Sequence, residues 1–142
     1  MIRAVLDTNI IISGWLWSGS PRQVLNLARQ RQIQSVISEA LLDELRDVLN
    51  RPKFIDRLSV IGKTVEGIVA EYLHFTDIVE PAQIAPVIDR DPDDDAVLAC
   101  AIGANAQYIV TGDDHLLALK RFQTIHISDA NQFLHQMNTS NL

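Results

Sequence analysis

Very little in this chain of 142 residues can serve thiol or membrane chemistry. It has one cysteine, Cys100, set among Ala99, Ala101 and Ile102. A lone thiol excludes an intramolecular disulfide and a cysteine-based zinc site; in that apolar setting it reads as core, in a reducing compartment. No run approaches the ~18 apolar residues that a membrane-spanning helix needs. The N-terminus, MIRAVLD, carries no basic leader followed by a long apolar stretch. The expectation is a soluble, unexported, cytoplasmic protein. GxxxxGK[ST] and GxGxxG loops and a Ser/His/Asp arrangement are also missing, which removes support for nucleotide-cofactor and acyl-transfer chemistry.

Cations are outnumbered, with 12 Lys and Arg against 18 Asp and Glu, a net charge of -6. That balance argues against a nucleic-acid partner, because phosphate contacts need Lys and Arg. The average hides a division. Between Arg22 and Lys63 lie Arg29, Arg31, Arg46, Arg51, Lys53 and Arg57, whereas from Asp77 to Asp114 only Arg90 opposes a long series of acids. The first half has the charge to meet phosphates and the second to hold a metal. Both are equally compatible with ordinary solvated surface.

With 47% hydrophobic residues the chain can close one substantial core and is too short for two ordinary domains. One domain is expected over residues 1–137, with a polar tail over 138–142. Residues 2–6 (IRAVL) and 108–111 (YIVT) read as buried parallel strands. Weaker strands are expected at 35–37, 78–79 and 124–127. Helical patterns fill the spaces: 21–31 opened by Pro21, 39–50 capped by Ser38 and stopped before Pro52, 59–74, 92–104 with Pro92 in its first turn, 114–119, and 129–137. The segment from Glu80 to Pro92 has three prolines and no period, and reads as a long connection. Strands alternating with helices imply an α/β fold with a mostly parallel sheet.

The informative acids are those standing where an acid should not be. After Ser38 the apolar stripe is Leu41, Leu45, Val48 and Leu49, and Glu44 falls along its edge while Asp43 and Asp47 point away. In DPDDD, Asp94 leads an inward stripe of Val97, Leu98 and Ala101, so it stands at the head of a buried face. Asp95 is turned one step aside as a possible helper. Asp93 faces away, and it and Asp91 suit the helix N-terminal dipole. Asp7 ends the first strand and Asp113 follows the strand at 108–111, at the carboxyl ends where open α/β sheets bind ligands. Each of these two also fits a turn or cap. Clustered carboxylates stay ionised together when a cation lies between them or water reaches them, and oxygen-only ligands suit Mg²⁺ or Mn²⁺. Such a site fits phosphodiester hydrolysis.

The segments VLDTNIIISG, ISEALLDELRDVLNRPKF, DPDDDAVLACAIGANAQYIVTGD and DDHLLALK together resemble a PIN domain. In particular they resemble the VapC-like toxin components of bacterial toxin–antitoxin pairs. The resemblance spans nearly the whole length, and the last two segments are its specific part. It implies a three-layer α/β/α sandwich and an acidic quartet of Asp7, Glu44, Asp94 and Asp113 that cuts RNA with Mg²⁺ or Mn²⁺. It also implies polar support from Asn9 and Thr111, a homodimer, and an antitoxin partner. Family members often carry Asp where this chain has His115, which puts a fifth acidic ligand in doubt. Trp15 and Trp17 fall in a loop or helix start and read either as base-stacking residues or as core or interface. The rival readings are a catalytically silent PIN fold that binds RNA or protein, and an aspartyl-phosphate enzyme. The second is disfavoured by Asn9 two residues after Asp7 and by the absence of lysine between Lys63 and Lys120.

Overall fold

The computed structural model describes residues 1–85 and 92–140. Strand β1 (Arg3–Leu6) is followed by helices α1 (Thr8–Leu16) and α2 (Ser20–Arg29), strand β2 (Gln34–Ile37), helices α3 (Glu39–Leu49), α4 (Pro52–Val60) and α5 (Val65–Leu73), and strand β3 (Thr76–Ile78). After the connection come α6 (Pro92–Gly103), β4 (Tyr108–Val110), α7 (Asp114–Leu119), β5 (Arg121–Phe122), β6 (Ile125–Ser128) and α8 (Ala130–Ser140). The six strands form one sheet in the order β3-β2-β1-β4-β6-β5, and only the β5–β6 pair is antiparallel. Helices flank this sheet as a three-layer α/β/α sandwich. Helix α2 packs on α1 and α8, and α3 packs on α5 and α6. Among the described residues no helix is long and apolar enough to cross a membrane.

The central strands are buried because they offer apolar side chains to both layers. Ala4, Val5, Leu6, Ile109 and Val110 are at most 1% exposed. Val5 stands between Val36 and Ile109 in register, and Leu6 pairs with Val110. The Asp7 N–H donates to Val110 O (2.9 Å), which carries the β1–β4 ladder one step past β1 and brings Asp7 beside Thr111. The chain leaves β1 in one direction toward β2 and β3, and the later strands extend the other way from β4. The β1–β4 boundary is therefore the point where strand order reverses, and its carboxyl edge is the natural ligand crevice.

Several elements differ from expectation. Residues 8–16, which carry the apolar IIISG run and to which the sequence assigns no element, form the buried helix α1. Their short apolar segment shows no one-sided period because the helix is covered nearly all round. The single helix expected over 59–74 is two. Pro52 starts α4 instead of only ending α3, Gly62 takes a left-handed turn (φ 71°), and Thr64 caps α5 by accepting from Gly67 N–H (3.0 Å). Strand β5 was too short to be legible. Helix α8 runs to Ser140, three residues beyond the expected end at 137. The connection expected over 80–92 has neither helix nor strand through residue 85; residues 86–91, including Asp91, lie outside the described residues, and Pro92 begins α6. Cys100 is fully buried in the core.

Candidate metal centre

At the carboxyl edge of β1 and β4 lies a cleft of about 160 Å³, lined by polar groups for the most part. Its walls are Asp7, Thr8, Asn9, Glu44, Val48, Arg51, Asp93, Asp94 and Asp113. Each acid arrives by a short local route. Asp7 leaves β1 and caps α1, its Oδ1 accepting from Thr8 N–H (2.8 Å). Asp113 leaves β4 and caps α7, accepting from Leu116 N–H (3.0 Å). Both therefore do the capping that the sequence allowed as an alternative, and they share the cleft as well. Asp94 lies in the first turn of α6 and is 5% exposed, as its position above Val97, Leu98 and Ala101 demands. Glu44 comes from the second turn of α3 and is half-buried.

Two hydroxyls tie the acids together. Thr111, fully buried, donates to Asp7 Oδ2 (2.6 Å) and accepts from Asp113 N–H (3.0 Å), so one side chain sets the spacing of two strand ends. Thr8 donates to Glu44 Oε2 (2.9 Å), joining α1 to α3. The N-terminal ends of α1, α6 and α7 all face this region, and their partial positive charge offsets part of the repulsion among the carboxylates. One ligand atom each of Asp94, Asp113 and His115 lie within 4.8 Å of one another, a spacing a single cation spans. The fit to a divalent metal rests on this spacing and on the donors, which are carboxylate oxygens with one imidazole at the margin. His115 is mostly exposed, with Nδ1 4.0 Å from Asp113 Oδ1.

The helpers are arranged differently from the expectation. Asn9 is exposed at the rim, and Thr111 stands behind the cleft, supporting two acids rather than lining it. Asp95 is half-buried and is not among the lining residues, whereas Asp93, expected to face away, is. Thr8 and Arg51 were missed. Glu44 and Val48 stand at i and i+4 on one face of α3, whereas Arg51 lies past the end of that helix with extended backbone, so helical spacing could not place it.

An α/β/α sandwich with an acidic crevice at the switch point of its sheet defines a class of ligand- or metal-binding α/β proteins. The sequence matches the family model described as PIN domain over residues 3–115, and the chain belongs to the PIN domain family. A similar solved structure is that of VapBC2 from Rickettsia felis bound to a DNA fragment from their promoter. It superposes with a TM-score of 0.59 at 20% identity, covering 90% of this chain and 98% of that one, a likeness of fold. No curated protein matches the sequence.

Proposed function

We propose that this PIN domain is a Mg²⁺- or Mn²⁺-dependent endoribonuclease that hydrolyses RNA phosphodiester bonds. The single nuclease domain, expected over residues 1–137, takes in the whole of α8 to Ser140. The supporting observation is that Asp7, Glu44, Asp94 and Asp113 all line one cleft at the switch point of the sheet. In this reading Asp7, Asp94 and Asp113 bind the metal directly, and Glu44 binds metal or positions the attacking water. A bound cation supplies a lowered pKa for water and polarisation of the phosphoryl oxygen. The chain's own residues do the rest. Thr111 and Thr8 hold Asp7 and Glu44 in orientation, Asn9 orients ligand or water from the rim, and Asp95 supports the first turn of α6. Arg51 meets a phosphate oxygen of the substrate, for which guanidinium geometry is suited.

The same reading makes the protein the toxin of a type II toxin–antitoxin pair, working in the cytoplasm as a homodimer. The likeness of fold to VapBC2 supports it. A basic segment of the antitoxin would enter the acidic cleft, and adding that segment should compete with Mn²⁺. The decisive experiment is calorimetric titration with Mn²⁺ of the wild type and Asp94→Asn, with cleavage of a mixed-sequence RNA followed alongside. Both binding and cleavage should be lost in the variant. Wild-type RNA affinity without metal-supported cleavage would make the domain a binding module instead.

A further inference from the structure

A strip of cations and aromatic rings leads away from the cleft along α4. Arg51 lines the cleft and caps the N-terminus of α4. Two residues on, Lys53 Nζ lies 4.8 Å from the centroid of the Phe54 ring. Phe54 meets Trp17 edge-on, with centroids 6.3 Å apart. The Arg57 guanidinium lies 5.6 Å from the centroid of Trp17 and is itself anchored, its Nε donating to Leu16 O (3.0 Å). Trp17 is nevertheless 42% exposed, while Trp15, two residues earlier, is buried.

A large aromatic ring held in place from two sides and still open to water has already lost the freedom that binding would otherwise remove. Around it, Arg51, Lys53 and Arg57 outnumber Asp56, the one acid of α4, so this face has the sign opposite to the -6 of the whole chain. Cations beside a fixed aromatic face are what single-stranded nucleic acid requires: charge for the backbone and a flat surface for a base. Trp, Phe and Arg also serve protein interfaces; continuity through Arg51, which connects the strip to the acidic cleft, selects nucleic acid. Nine residues of α1 separate Asp7 from Trp17, roughly 14 Å at helical rise, so a strand leaving the cleft reaches Trp17 within a few nucleotides.

We infer that this α4 strip is the track for single-stranded RNA flanking the cleavage site, with a base stacked on Trp17 and phosphates held by Arg51 and Lys53. Arg57 is a positioning residue that fixes the ring. The inference takes its ligand class from the nuclease reading and is testable apart from it.

The experiment is binding of a fluorescein-labelled single-stranded RNA in EDTA, where no cutting intervenes, to the wild type, Trp17→Ala, Trp17→Phe and Lys53→Gln. Melting curves verify that each variant folds. Trp17→Ala should weaken binding by about 5- to 150-fold, the range for loss of one stacked base, and Trp17→Phe should recover most of it. Lys53→Gln should lower the slope of log affinity against log salt by about one. A duplex RNA of the same sequence should compete poorly, since its bases are already stacked. Equal affinity of wild type and Trp17→Ala would overturn the track, as would equal competition by duplex. A change of sedimentation coefficient in Trp17→Ala with RNA affinity intact would also overturn it, making the face a contact between copies. If the wild type cuts RNA and Trp17→Ala cuts it with unchanged KM, the track fails and the nuclease reading stands. If RNA binds through Trp17 and Mn²⁺ elicits no cleavage, the track stands and the nuclease reading fails.

Discussion

Thr8 and Thr111 carry no charge, yet the arrangement of the acids depends on them. The Thr8 hydroxyl is the hydrogen bond from α1 to Glu44, and its backbone N–H separately serves Asp7. Thr8→Val removes the first and keeps the second. Glu44 is half-exposed and water can replace the lost donor, so stability should change by less than about 1 kcal/mol. Mn²⁺ affinity should fall about 10- to 100-fold, as when groups supporting a metal ligand are removed elsewhere. Calorimetry with both readouts checks this, and unchanged affinity would mean that Glu44 needs no such support. His115 is testable separately. Imidazole suits transition metals better than Mg²⁺. His115→Ala should therefore weaken Mn²⁺ binding and leave Mg²⁺ binding unaltered, measured by the same titration.

At the scale of elements, the packing of α1 on α2 turns on Gly14. A Cβ there would lie 2.9 Å from Pro21 O and 3.2 Å from Leu25 Cδ2. The backbone of Pro21 cannot swing aside as a side chain would. Gly14→Ala should thus lose about 1–3 kcal/mol through overpacking, outweighing the gain of up to ~1 kcal/mol from helix propensity. Thermal unfolding should show a Tm lower by roughly 5 °C. Elements with strong local signals were legible. Helix α3 has Ser38 as cap, its hydroxyl accepting from Leu41 N–H (3.3 Å), and an amphipathic stripe that all lies buried. Helix α1 was not legible, because uniform burial erases the periodicity that marks a helix. The α4–α5 break was obscured because the apolar spacing continues across Gly62 while the backbone does not.

For the molecule as a whole, the core holds two ionisable groups in neutral form. Burial pushes the Tyr72 hydroxyl from its ordinary 10.0 up to about 12, although Ser35 bonds it (2.6 Å). Burial likewise raises the Cys100 thiol from 9.0 to about 11. A group whose value is raised on folding contributes stability fully present below the unfolded value and lost as pH climbs toward the folded one. Stability should accordingly hold up to about pH 9 and decline between pH 9 and 12, by roughly 1 kcal/mol per pH unit for each group titrating in the unfolded chain. Urea denaturation across that window checks the slope, and Cys100→Ala should flatten it between pH 9 and 11. The charge division along the chain also has a spatial counterpart. Acids from both halves meet in the cleft, and Arg51, Lys53 and Arg57 run along α4 beside it.

By itself the sequence determined the α/β class, the one-core size, most helix starts, and which acids stand on inward-facing or strand-end positions. All of these follow from local rules: side-chain period, capping, and proline placement. Only the tertiary structure decided which of those acids share a cleft. Asp7 and Asp113 are more than a hundred residues apart, and they meet because Ala4 pairs with Tyr108 and Leu6 with Val110 in register. Helices α3 and α6 must then pack together to bring Glu44 and Asp94 to the same edge. The same packing admitted Thr8, Asp93 and Arg51 and left Asp95 outside. Such convergence depends on strand order and helix packing, which no window of neighbouring residues records.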